Sequence, residues 1–167
     1  WTQAGGEILF IETSLTRGSG KVTMTGQLGD VMKESAEIAV SLVKHLFPEE
    51  AEKLDKSDLH IHVPAGAVPK DGPSAGITLV TALASLLTER SVNPEYAMTG
   101  ESSLTGRVMP IGGLSEKLMA AQRAGVRTVF IPRENAEDLE DVAEEIKSAL
   151  DIIPVDTAQD VLERVWK

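Results

Sequence analysis

Pro69-Lys70-Asp71-Gly72-Pro73-Ser74-Ala75-Gly76 runs directly into Ile77-Thr78-Leu79-Val80-Thr81-Ala82-Leu83-Ala84-Ser85-Leu86-Leu87, and the reading of this junction decides the fold. Two prolines and two glycines within eight residues cannot continue a helix or a sheet ladder, so residues 69–76 form a fixed turn. The run that follows is apolar on nearly every face, and a helix of that kind belongs in a core. Ser74 therefore stands where a rigid loop enters the N-terminus of a buried central helix. Such an end presents unpaired N–H groups and the positive pole of the helix dipole. A hydroxyl there is either an N-cap, the commoner use of serine, or a nucleophile beside donors suited to an oxyanion. The second role needs a base from elsewhere in the chain.

Upstream of the turn, Leu59-His60-Ile61-His62-Val63 alternates as a strand, and Pro64-Ala65-Gly66 opens the loop that leads to Ser74. His60 and His62 share a face by the period-two rule. No third ligand has convincing spacing, so no metal site is assigned; hydrogen bonds beside the loop are expected to hold both rings. Residues 6–16 (GEILFIETSLT) read as a strand, Arg17-Gly18-Ser19-Gly20 as a turn and Lys21–Thr25 as the returning strand of a β-hairpin. The GSGK in that turn is not a phosphate loop, because Leu15 replaces the first glycine and Val22 follows the lysine. Asp30 is expected to cap a helix reaching about Phe47, with Val31, Ala36, Ile38, Leu42, Val43 and Leu46 on its apolar side.

Downstream, Tyr96–Leu104 and Arg107–Pro110 suggest a second hairpin turning at Thr105-Gly106. Gly112-Gly113 then feeds a helix from Leu114 to Ala124, closed by Gly125 at C′. Val126–Ile131 reads as a buried strand, Asn135 as the cap of an acidic helix, Asp151–Val155 as a last strand and Thr157 as the start of a terminal helix. The expectation is a single compact α/β domain over residues 1–167, with two β-hairpins, mixed sheets and a buried central helix.

The helix from Leu114 carries an anomaly. Leu114, Lys117, Leu118, Ala121 and Ala124 fall on one face, which sets a lysine in the middle of the apolar stripe. Either its stem is buried and the ammonium snorkels to water, or the ammonium is desolvated and its pKa falls toward neutrality. A neutral lysine can take a proton from a serine hydroxyl, and serine with lysine is one known variant of the nucleophile–base arrangement.

Composition narrows the partners. The 167 residues, 42% hydrophobic and 25% charged, have globular values. A net charge of -10 without a basic stripe argues against nucleic acid or an anionic membrane as partner. The absence of cysteine removes disulfides and thiolate chemistry. No apolar run has the length of a membrane span, and the chain opens at Trp1 without an initiator methionine, so it is expected to be part of a longer polypeptide.

From PKDGPSAG through TGESSLTGRVMPIGGLSEK the chain resembles the proteolytic domain of the Lon family of ATP-dependent proteases, in its A-type form. The likeness spans the chain, from WTQAGGE through HIHVPAGAVPKDGPSAGIT to GVRTVFIPREN. It implies a serine endopeptidase acting on unfolded or damaged proteins, with Ser74 as nucleophile and Lys117 as general base. It implies further that Thr99 hydrogen-bonds the lysine, and that Asp71 belongs to the loop shaping the oxyanion site and governs its opening; His62, in the strand leading into that loop, is expected as a supporting residue. The family assembles as a six-membered ring around an inner chamber, in a bacterial cytoplasm or an organelle matrix. Its AAA+ module, which uses ATP and Mg, is expected in cis; this stretch has no Walker A sequence and needs no cofactor of its own. The irregular segment Val63, Pro64, Ala65, Gly66, Ala67, Val68, Pro69 and Lys70 is expected to present a strand edge to an extended peptide. Two alternatives stand beside this: a catalytically silent assembly domain of the same fold, and a Ser–His–Asp hydrolase drawing on His60 or His62.

Overall fold

The run from Gly76 to Thr88 forms the helix around which the rest is built, and Ile77, Leu79, Val80, Leu83, Ala84 and Leu87 along it are all fully buried. A computed structural model describes residues 8–66 and 70–167. In chain order the elements are β1 (Glu12–Arg17), β2 (Val22–Thr25), α1 (Asp30–Leu46), α2 (Ala51–Asp55), β3 (Ser57–His62) and the central α3 (Gly76–Thr88). There follow β4 (Tyr96–Met98), β5 (Glu101–Ser102), β6 (Val108–Met109), α4 (Leu114–Arg123) and β7 (Thr128–Pro132). A 3-10 segment (Arg133–Asp141), α5 (Glu144–Ala149), β8 (Asp151–Val155) and α6 (Ala158–Leu162) complete the chain.

The architecture is α/β with mixed sheets, and α3 separates two of them. On one side β3 lies between β1, to which it is antiparallel, and β2, to which it is parallel. On the other, β4, β7 and β8 form a parallel sheet in that order. Leu42, Val43, Leu59, Ile61, Leu79 and Leu83 make the core between α1, α3 and the first sheet. Leu114, Leu118 and Ala121 of α4 pack on Val129 and Ile131 of β7. Thr157 caps α6 through a full capping box, as expected.

The first expected hairpin is not one: β1 and β2 run in opposite directions but do not pair, because β3 is inserted between them. The loop joining them is held open around the start of β3. Gly18 N–H donates to Lys56 O at 3.1 Å and Gly20 N–H to Ser57 O at 2.9 Å. Ser19 N–H and Lys21 N–H both donate to Asp58 Oδ1 at 3.1 Å. The glycine-rich turn thus serves as a saddle for the incoming strand. The second hairpin exists but is short, pairing Glu101 with Met109 and Ser102 with Val108. The long strand expected from Tyr96 breaks at Thr99-Gly100, where β4 leaves the parallel sheet.

Two expected caps also move. α1 begins after Gly29, and Asp30 is its first helical residue without capping it. Asn135 is buried inside the 3-10 segment, which follows Pro132, and its side chain is used elsewhere.

The entry to α3 depends on close backbone approach. Ile77 N–H donates to Gly100 O at 3.1 Å and Gly100 N–H to Ser74 O at 2.9 Å. A Cβ on Gly76 would lie 2.6 Å from Ser102 N, and one on Gly100 would lie 2.6 Å from Val108 Cγ1. Gly76→Ala must therefore push two backbone segments apart, with an expected loss of about 1–3 kcal/mol, typical of overpacking. Urea denaturation of the variant measures it; an unchanged midpoint would contradict the contact.

Candidate active site

Ser74 lies in the turn immediately before α3, half-buried, with its carbonyl held by Gly100 as above. Pro73 O accepts the N–H of Gly76 at 3.1 Å, and Ala75 O accepts that of Leu79 at 2.9 Å. Ala75, not Ser74, occupies the N-cap position, and the Ser74 hydroxyl caps nothing. Thr99 precedes Gly100 and is buried, its N–H donating to Phe130 O on β7 at 3.1 Å. β7 therefore carries Thr99 and Gly100, and Gly100 carries Ser74.

Lys117 approaches from the other side. Gly113 begins α4 from a left-handed conformation, φ 71°, which suits glycine because it has no Cβ to clash. The apolar face of α4 then turns Lys117, one turn in, toward α3. Ala124, assigned to the same stripe, is exposed.

Ser74, Thr99 and Lys117 line a single cavity of about 600 Å³ with Ala75, Thr78 and Met98 among its other walls. Lys117 is the one charged side chain among the described residues on that wall. Loss of solvent pushes its pKa below the ordinary 10.5, and the neighbouring carboxylate of Glu116 partly opposes the shift. Among the described residues, no hydrogen bond joins Ser74 Oγ, Lys117 Nζ or Thr99 Oγ1 to one another, so the expected Thr99–Lys117 bond is not formed here.

His60 and His62 do share a face, and both are tied to one hydroxyl. Thr25 Oγ1 lies 2.8 Å from His60 Nε2 and 2.7 Å from His62 Nδ1. Neither ring is on the cavity wall. Thr25, at the end of β2, gave no signal of this in the sequence.

Asp71 is placed at the start of α1, not at the cavity. Its Oδ1 accepts the N–H of Met32 at 2.9 Å. That bond, with a further one from the N–H of Gly72 and a weaker one from Val31, holds the carboxyl below the usual carboxylate range against the opposing effect of desolvation. Asp71 is thus the cap that Asp30 does not supply, and it ties the serine turn to α1 from 39 residues away.

The segment from Val63 to Lys70 is only partly an open edge. Val63 is buried with its N–H on Thr25 O at 3.1 Å. Lys70 is buried too, its N–H on Gln27 O at 2.9 Å and its carbonyl accepting from Gly29 N–H at 2.7 Å. Its ammonium donates to Gly26 O at 2.8 Å and Ala65 O at 2.7 Å. Pro64 is half-buried, Ala65 and Gly66 are exposed, and Ala67, Val68 and Pro69 lie outside the described residues.

The family model described as the Lon protease (S16) C-terminal proteolytic domain matches residues 1–167. The chain is 56% identical to a Lon protease of Methanosarcina barkeri over 164 residues, which is 97% of this chain and 20% of that protein. It is 59% identical over 162 residues to a Lon protease of Clostridium beijerinckii, with the same coverage, and 54% identical over 165 residues to one of Brevibacillus choshinensis. The chain thus spans about a fifth of the length of these curated relatives.

A carboxylate whose folded pKa is depressed stabilises the fold above its unfolded value, here 3.8, and that contribution is lost as pH falls through the lower folded value. Asp71→Ala is expected to lower the melting temperature at neutral pH. The gap to the wild type should narrow as melts are taken below pH 3.8, and a gap independent of pH would count against the cap.

Proposed function

This chain belongs to the Lon protease family as a C-terminal proteolytic domain, and on that premise we propose that it is a serine endopeptidase in which Ser74 is the nucleophile and Lys117 the general base. One observation carries the residue assignment: Lys117 stands as the sole charged described side chain on a cavity wall that also holds Ser74. Loss of solvent, only partly opposed by Glu116, favours the neutral amine, which is the form that can act as a base.

In this reading neutral Lys117 Nζ takes the proton of Ser74 Oγ as the oxygen attacks the scissile carbonyl carbon. The N–H of Ser74, at the turn before α3, and the positive end of that helix face the developing oxyanion. The Lys117 ammonium then returns the proton to the leaving amine. Water, deprotonated in turn by Lys117, hydrolyses the acyl-enzyme. Catalytic hydrogen bonds often close only in the substrate complex, so the dyad is expected to tighten when peptide binds. Thr99, on the same wall, is then within the set of groups available to orient the amine.

Substrate is an extended, unfolded polypeptide lying over the cavity, with Pro64–Gly66 as the accessible part of its binding edge. Folded proteins fail because their strands are already paired. Their unfolding falls to an AAA+ module on the same polypeptide, using ATP and Mg, within a six-membered ring in the cytoplasm. Hydrolysis itself uses no cofactor.

Ser74→Ala should abolish cleavage of casein while changing stability by no more than about 2 kcal/mol. Lys117→Arg should be as inactive as Lys117→Ala, since a guanidinium keeps its proton. The wild-type rate should rise with pH as Lys117 deprotonates, with a midpoint below 10.5. Wild-type protein that neither cleaves casein nor reacts with a peptide boronate would instead be the silent assembly domain.

A further inference from the structure

We infer that Asn135 is the positioning residue for Lys117, holding the start of α4 in register against β7; the inference rests on the dyad proposed above. Asn135 is 3% exposed, and its amide is fully engaged. Oδ1 accepts the N–H of Ile111 at 2.9 Å, and Nδ2 donates to Ile111 O at 2.9 Å. The second hydrogen of Nδ2 goes to Asp138 Oδ2 at 2.7 Å. One side chain thus pairs with both backbone groups of one residue, as a neighbouring strand would, at a place where no strand runs.

The location of that bracket gives it consequence. Between Ile111 and the helix stand only Gly112 and Gly113, which have no side chains to fix the path. Further along, α4 is held by Leu114, Leu118 and Ala121 against β7, a contact that is non-directional and tolerates a slide along the helix axis. The paired hydrogen bonds to Ile111 are directional and do not. β7 meanwhile carries Thr99 through Phe130 O, and with it Gly100 and Ser74. Asn135 follows β7 by three residues, so both halves of the dyad are referenced to one strand. Displacing a catalytic group by an ångström can cost a factor of about 100 in rate.

The test is a pH–rate profile of peptide cleavage by the whole chain. Asn135→Leu, similar in size but unable to bracket Ile111, is expected to lower kcat about tenfold or more while KM stays within about threefold. The midpoint of the rise in kcat should also move upward, toward ordinary lysine, as water reaches a displaced amine. Glu116 on the same helix and Tyr96 on the cavity wall are the other titratable groups in play, and the substitution leaves both in place. If Asn135→Leu does not fold, Asp138→Ala removes only the Nδ2 partner and should reduce kcat about twofold to threefold with the same direction of shift. A lower melting temperature with unchanged kcat and midpoint, in whichever variant folds, makes Asn135 merely structural and overturns the inference. Activity in Lys117→Arg overturns the dyad and this inference together. Loss of activity there, beside an unaltered Asn135→Leu, overturns this inference alone.

Discussion

Gly100 gives its N–H to the carbonyl of Ser74 and takes the N–H of Ile77 on its own carbonyl, a reciprocal contact made possible because Gly76 has no side chain to hold the two segments apart. The serine side of the site is hung from this clamp. It fixes the turn at the head of α3, and it fixes it to β7 through Thr99. The buried helix then acts as a rigid base for a serine that its own cap position does not use. A serine turn supported this way needs no special strain in the chain. It needs two glycines at the right places and a core helix that cannot shift.

The opposing wall works by a different principle. α4 spends its apolar face on β7 and turns a lysine into a cavity that, among the described residues, offers it no carboxylate. A surface lysine would stay charged and inert as a base. Here loss of solvent disfavours the ammonium, with Glu116 opposing it only in part, so the neutral amine is reached at lower pH than on the surface. The serine turn is treated in the opposite manner: Asp71 is given a full set of backbone donors at the start of α1, and Lys70 two carbonyls. Backbone groups thus hold the Asp71 carboxylate and the Lys70 ammonium in place beside the turn, while Lys117 opposite it loses solvent.

The turn from Asp71 to Gly76 and the buried helix behind it were legible in the sequence, because prolines, glycines and an unbroken apolar run have few structural meanings. The stripe that turns Lys117 inward was legible for the same reason, through its period. Their convergence on one cavity was not, since no local pattern carries information about contact between residues 43 positions apart; family resemblance supplied the pairing. The misread features have a common origin. Arg17–Gly20 has the composition of a hairpin turn, but composition does not say whether a third strand will enter the gap. Asp30 and Asn135 are good caps by type, and each lost the role to a long-range partner: Asp71 caps α1, and Ile111 recruits Asn135. Polar side chains in this chain bond across the fold where a local reading expects them to bond nearby.

The strand that enters the saddle also sets an order of assembly. β1 and β2 are finished by Thr25, yet neither has a partner until Ser57–His62 arrives between them. A growing chain that has emerged only as far as α1 carries two unpaired strands with an apolar side and no sheet to receive them. Closing the loop to β3 is an entropic step that must precede any reward from pairing, and such non-local sheets form slowly. In that interval the exposed edges are open to wrong partners, including other copies of the same segment. A domain of a protease family therefore passes through a stage at which its own first strands are vulnerable to misfolding.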